Sequence, residues 1–310
     1  MSDTAPLYAG IAEGPADGRA FWLTAADGVR LRAAHWPAPQ AKGTVLLFPG
    51  RSEYAEKYGI AAGDLAARGY HTLVIDWRGQ GLSDRALADP MTGHVGDFSE
   101  FQLDVEALAD LADTLYLPGP RHLMSHSMGG CIALRSVMMG LPVRSAVFSA
   151  PMWGIRITPA LRPVATTLGW AAQWAGQSHR YAPGTSAATY VADAPFEDNV
   201  LTTDPEMYAL MQRQVAEHPE LGLGGPSLGW LRAALIECRA LAALPAPDLP
   251  ALTMIGSRER VVDPAPVQAR MANWPKGRLE VVPGAEHEVI METAAIRARF
   301  FDAACALFDG

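Results

Sequence analysis

Three short stretches of the chain carry residue types that could perform nucleophilic chemistry together. The first is Ser125-His126-Ser127-Met128-Gly129-Gly130. Small residues flank Ser127, as a tight turn from strand to helix requires. Such a turn lifts the serine hydroxyl above the sheet edge and aims a helix N-terminus at it. The common form of this turn is G-x-S-x-G. Here Ser125 stands at the first glycine, and serine is small enough for the turn to survive. A serine hydroxyl is a weak nucleophile until a base takes its proton. Of the eight histidines, His287 fits best. It lies late in the chain, in Val282-Pro-Gly-Ala-Glu-His287-Glu, where the order Ser, acid, His would place it. His126 neighbours the serine and is expected to point away from it.

The acid is expected after the penultimate strand, in Ile255-Gly-Ser-Arg-Glu259-Arg-Val-Val-Asp263. Glu259 is favoured because the loop should turn toward the histidine there. Asp263 precedes Pro264 and reads well as a helix N-cap, but it stays open as the alternative acid. Either carboxylate could hold the imidazole tautomer and stabilise the imidazolium. An oxyanion hole would use the main-chain N–H of Met128 and that of Arg51, in Phe48-Pro49-Gly50-Arg51-Ser52-Glu53, where Gly50 lets the backbone turn. This set implies acyl transfer through a serine ester, with no metal and no organic cofactor.

Such residues need a rigid frame. The continuous apolar run Gly43–Phe48 reads as a strand buried on both faces, His71–Ile75 as the next buried strand, and Arg121–His126, Ser145–Ser149, Leu252–Ile255 and Arg278–Val282 as further strands. A hairpin precedes them, Ala20–Thr24 and Val29–Trp36, turning at Asp27-Gly28. Helical spacing is expected over Ala55–Arg68, Phe98–Leu115 (with Ser99 as N-cap and Gln102 three residues on), Gly129–Met139 and Thr293–Leu307. Alternating strands and helices predict an α/β fold with a mostly parallel, doubly wound sheet. Residues 152–241 break the alternation. They are rich in Trp, Met, Leu and Ala, and are expected to form a helical cap between core segments 1–151 and 242–310. Within this stretch, Leu161–Ala175 reads as an amphipathic or buried helix. Trp153, Trp170, Trp174 and Trp230 are expected mostly to pack the cap on the sheet, with a minority lining a pocket.

The 310 residues are 49% hydrophobic and 19% charged, which suits a large folded core. A net charge of −8 argues against nucleic acid as a partner and against tight electrostatic docking on anionic lipid. Three scattered cysteines form neither a metal cluster nor a disulfide framework, which suits a reducing, cytoplasmic setting. The opening residues lack the basic and apolar segments of a secretory leader, and no apolar run is long enough to span a bilayer.

Taken together, these residues resemble the α/β-hydrolase fold, and within it the lysophospholipase and monoacylglycerol lipase group of serine aminopeptidase-like hydrolases. Pro49-Gly50-Arg51-Ser52-Glu53 stands where that family has His-Gly-x-x-Glu. Asp76-Trp-Arg78-Gly79-Gln80-Gly81-Leu-Ser83 is similar to its structural D-x-R-G-x-G-x-S loop. Asn199-Val-Leu-Thr202-Thr-Asp204 and Gly224-Gly-Pro-Ser227-Leu-Gly-Trp230-Leu look most like the bacterial lysophospholipase L2 type. Pro49, Ser125 and Glu259 depart from the family's usual His, Gly and Asp. The resemblance implies a cap over an apolar acyl pocket. It also implies ester hydrolysis of single-chain lipids, lysophospholipids or monoacylglycerols, with transient contact between the cap and a membrane surface. The alternatives are a short-chain carboxylesterase, thioesterase or acyltransferase with the same triad, and an inactive binding protein.

Overall fold

The computed structural model describes residues 3–158 and 162–310. Among these, nine strands form one sheet in the order β1-β2-β3-β5-β4-β6-β7-β8-β9. They are β1 Thr4–Ala5, β2 Arg19–Thr24, β3 Arg30–Trp36, β4 Gly43–Phe48, β5 Tyr70–Asp76, β6 Arg121–His126, β7 Ala146–Ser149, β8 Ala251–Gly256 and β9 Gly277–Val282. From β5 to β9 every neighbouring pair is parallel, while β1, β2 and β3 add an antiparallel edge. The sheet is therefore mostly parallel, as expected.

The helices are α1 Ala9–Ala12, α2 Gly59–Ala66, α3 Glu100–Thr114, α4 Met128–Met138, α5 Arg162–Trp174, α6 Tyr190–Asp193, α7 Pro205–Glu217, α8 Leu228–Ala242, α9 Pro264–Met271 and α10 Ala294–Asp309. Side chains alternate across a strand, so β4 feeds two cores. Leu46 and Phe48 join α3 and α4 on one face, and Val45 and Leu47 join α2 and α10 on the other. Both faces are covered, which is why β4 and β8 are buried at every position.

Two details differ from the sequence reading. The helix expected from Ala55 begins as a 3-10 turn, Ala55–Tyr58, before α2. The expected cap of α3 also moves. Ser99 has helical dihedrals and makes no side-chain cap bond. Asp97 accepts from the Ser99 N–H at 2.8 Å, and Glu100 accepts from the Asp97 N–H at 2.8 Å. That reciprocal pair is a capping box two residues earlier than Ser99 and Gln102.

Helices α5 to α8 lie between β7 and β8 in sequence, and α5 packs on α8. Leu161, first residue of the helix expected there, lies outside the described residues. Trp153 and Trp230 are buried in the core on the α4 face. Trp170 and Trp174, by contrast, are 49% and 94% exposed on α5, so half of the tryptophans expected to pack inward face outward. No helix among the described residues is long and apolar enough to cross a membrane.

Candidate active site

The C-terminal ends of the parallel strands converge on one cavity. Strand β6 ends at His126, and the chain turns directly into α4 through Ser127, whose φ is 49° and ψ −117°. A positive φ is costly for a serine. The surroundings hold it there: Ser127 N donates to Ser149 O at 3.0 Å, and Ser127 O accepts from Met152 N at 2.8 Å. Gly129 follows because its Cα rides against the preceding loop. A Cβ there would sit 2.1 Å from Phe48 O and 2.4 Å from Pro49 O. Ser125 fits in place of the usual glycine, with its hydroxyl 3.3 Å from Val147 O.

His287 lies in the loop after β9. Its Nε2 is 2.9 Å from Ser127 Oγ, and its Nδ1 is 2.7 Å from Glu259 Oε2. The other oxygen of Glu259 accepts from Val261 N at 2.7 Å and Val262 N at 3.0 Å. Burial pushes the Glu259 carboxyl up, but the His287 contact and these amides outweigh it and hold the group below its ordinary value. Asp263 does not meet the histidine. It caps α9, accepting from Ala265 N at 3.1 Å. The acid and histidine loops are stitched by Ser257 N to Val282 O at 2.9 Å and Arg258 N to Ala285 O at 3.0 Å. Gly256 allows this, since a Cβ there would meet Glu286 O at 2.1 Å.

Arg51 and Met128 both line the cavity beside Ser127. Among the described residues neither main-chain N–H has an internal acceptor, so both donors are left for a ligand. The loop carrying Arg51 is braced from behind. Trp77 Nε1 donates to Pro49 O at 2.8 Å, and Gln80 Nε2 to Gly50 O at 3.0 Å. Asp76 accepts from Ala55 N at 2.7 Å and pairs with Arg32, which also grips Glu56 through two 2.7 Å contacts. The Asp76–Ser83 loop thus has structural work to do.

A buried ionic cluster underlies the site, and the sequence reading did not find it. Lys57 Nζ lies 2.6 Å from Glu53 Oε1 and 2.5 Å from Glu288 Oε1. Tyr58 donates to Glu53 Oε2 at 2.5 Å, and Gly50 N donates to the same oxygen. His126 does not point away. It lines the cavity, its ring centroid 4.7 Å from that of His287, with Nε2 at 3.4 Å from Glu288 and 3.6 Å from Glu53. Those distances suit an ion pair, and Nε2 makes no hydrogen bond to either carboxylate. Burial pushes the His126 pKa down, but Glu288 and Glu53 together raise it above the ordinary value. Burial likewise opposes ionisation of Glu288, yet Lys57 and His126 hold its carboxyl well below the usual range. Glu53, His126 and Glu288 place ligand atoms within 4.8 Å of one another, a spacing a cation could use. The Lys57 ammonium already sits against both carboxylates.

The cavity has a volume of about 340 Å³. Its far wall is mainly apolar and comes from the β7–β8 connection and the acid loop, including Met152, Val191, Leu201, Met211, Trp230 and Val262. The arrangement offers an oriented hydroxyl, a base, a carboxylate behind the base, two amide donors and an apolar slot.

Residues 39–294 match the family described as serine aminopeptidase, S33. The chain is 32% identical over 295 residues to lysophospholipase L2 of Escherichia coli (strain K12), covering 89% of this chain and 83% of that protein. It is 29% identical over 275 residues to the monoacylglycerol lipase of Mycolicibacterium smegmatis, covering 86% and 88%. Among solved structures, a soluble variant of the monoglyceride lipase of Saccharomyces cerevisiae superposes with a TM-score of 0.70 at 20% identity, covering 93% and 94%. A thermostable carboxyl esterase of Bacillus coagulans gives 0.72 at 14% identity, covering 94% and 98%. The likeness to these structures is one of fold, the α/β-hydrolase fold. The chain belongs to the serine aminopeptidase S33 family of hydrolases.

Proposed function

We propose that this family member hydrolyses carboxylic esters of single-chain lipids through a serine acyl-enzyme. The observation that carries the reading is the unbroken hydrogen-bonded line Ser127–His287–Glu259 opening onto an apolar slot. Ser127 Oγ attacks the ester carbonyl while His287 Nε2 takes its proton. Glu259 holds the imidazole by Nδ1 and stabilises the imidazolium that forms. The carbonyl oxygen becomes negative and is held by the amides of Arg51 and Met128. His287 then protonates the leaving alcohol. Water, deprotonated by the same nitrogen, attacks the acyl-enzyme and releases the fatty acid and free Ser127.

In this reading residues 152–241 are a cap over the acyl slot. The exposed Val164, Trp170 and Trp174 on α5 form its lipid-facing side and touch a membrane surface transiently. Three free, buried cysteines suit a cytoplasmic location. The curated relatives named lysophospholipase L2 and monoacylglycerol lipase support the substrate class.

The test is a p-nitrophenyl ester series from acetate to palmitate, run beside a lysophospholipid and a monoacylglycerol. Rates that peak on long single chains support the reading. Activity confined to short esters would keep the triad and discard the lipid substrate.

A further inference from the structure

Arg51 stands apart from the other charged side chains around the cavity. Glu53, Lys57, His126 and Glu288 answer one another, and Glu259 answers His287. Arg51 has no carboxylate partner among the described residues. Its Nη1 donates to Gly224 O at 2.8 Å, and its guanidinium carbon lies 5.9 Å from the Trp230 ring centroid. Burial without a counter-charge lowers its pKa to about 10, which still leaves it charged at neutral pH. A half-buried cation in a largely apolar slot bears a desolvation cost that an incoming anion would offset. Hydrolysis of a neutral ester does not use this side chain, since the oxyanion hole needs only its main-chain N–H.

We propose that the Arg51 guanidinium binds the phosphate of a glycerophospho leaving group and so favours lysophospholipids over neutral monoacylglycerols. The proposal rests on the lipid-ester reading above and narrows its substrate class. Arg51 starts beside the reacting centre, because its own amide faces the ester carbonyl in that reading. Its side chain also has the right reach. The phosphorus of the headgroup lies as many bonds from the ester oxygen as Cζ of Arg51 lies from its Cα. Gly224 O takes one of the guanidinium donors. The remaining donors have no hydrogen-bonded acceptor among the described residues, which leaves them available to two phosphate oxygens.

A purely structural role is the competing account. The Gly224 contact ties the oxyanion loop to the segment before α8, and its loss would slow every ester alike. The experiment therefore reads a ratio. For the full chain and for Arg51→Met and Arg51→Lys, kcat/KM is measured on 1-palmitoyl lysophosphatidylethanolamine and on 1-palmitoylglycerol in the same detergent micelles. The ratio of the two should fall by about tenfold or more in Arg51→Met, chiefly through KM, and recover in part in Arg51→Lys. An equal loss on both substrates would overturn the proposal in favour of the structural role.

A second measurement needs no variant. Ether-linked, non-hydrolysable analogues of the two lipids, inorganic phosphate and glycerol 3-phosphate are tested as inhibitors of p-nitrophenyl butyrate hydrolysis by the unaltered chain. The phosphate-bearing ether lipid should bind about tenfold or more tightly than its neutral counterpart. Equal affinity overturns the assignment. Inhibition by inorganic phosphate or glycerol 3-phosphate as strong as by the ether lipid would also overturn it, by marking a general anion subsite. Hydrolysis of the butyrate ester with neither lipid cleaved breaks the lipid-ester reading itself. Cleavage of both lipids with an unchanged ratio breaks only the role of Arg51.

Discussion

On the strand-end side of the cavity, the charged groups of the buried cluster and the triad sit in partnered contacts: Lys57 with Glu53 and Glu288, His126 between the same carboxylates, His287 with Glu259. Across the slot, the wall from α6, the loop after it, α7 and the start of α8 is made of groups such as Val191, Leu201, Met211 and Trp230. The two sides obey different physics. Ion pairs and hydrogen bonds are directional, so the strand side fixes atoms to within the tolerance of a reaction. Dispersion and hydrophobic contact are nearly indifferent to direction, so the helical side can accept different chains with little change in energy. Reaction type should therefore reside on one wall and tolerance of the acyl chain on the other.

The sharpest way to break this division is to alter each wall in turn. Ser127→Ala should lower turnover by about 10⁴-fold or more on every ester and abolish labelling by a fluorophosphonate. Glu259→Gln should cost about 10³–10⁴-fold, again regardless of chain length. Asp263→Ala should cost about 1 kcal/mol of stability through its lost cap, with turnover nearly intact, as read by urea unfolding beside initial rates. If Asp263→Ala were the crippled enzyme, the roles of the two carboxylates would be reversed.

On the apolar wall, Val191→Glu should reduce kcat/KM for palmitoyl esters by about tenfold while acetate esters lose far less. That is the effect expected from one charge placed where a chain must lie. Uniform loss across the series would mean damage to the frame instead.

The strand side also carries a pH signature. The pKa of His126 is raised in the folded chain, so its contribution to stability is complete below the unfolded value of about 6.5. That contribution fades as pH rises through the raised value. The gap in urea midpoint between the unaltered chain and His126→Gln should therefore be widest in mild acid and narrow toward alkaline pH. A gap that widened with pH would mean that the ring is neutral when folded. The smallest effect should come from outside the cavity. Trp174→Ala should weaken co-sedimentation with zwitterionic phosphatidylcholine vesicles by about threefold and leave hydrolysis of soluble esters unchanged.

The sequence made the strand side far more legible than the helical side, for physical reasons. Ser127 sits in a turn whose tightness demands small neighbours, and His287 follows a strand in a fixed order. The sequence favours Glu259 over Asp263 yet leaves both open, because the path of an irregular loop leaves no periodic signal; the Pro264 beside Asp263 hints at a cap. His126 was misread because what it meets is remote in sequence. Its carboxylate neighbours, Glu53 and Glu288, come from the loop after β4 and the loop after β9. At α3 the sequence points to Ser99 with Gln102, whereas the structure closes the helix start with Asp97 and Glu100. The edge strand β1 and helix α1 are too short to show any period. The apolar wall carries no motif, since many residue types satisfy the same hydrophobic requirement.

Gly129 and Gly256 put bare backbone against bare backbone, one under the loop that bears Arg51 and the other under the loop that bears His287. The dimensions of the reactive centre are thereby gauged by main-chain atoms, which have no identity to mutate. Side chains in the surrounding signatures, Pro49 and Ser125 among them, therefore carry little of the spacing between nucleophile, base and oxyanion donors, which the backbone contacts set.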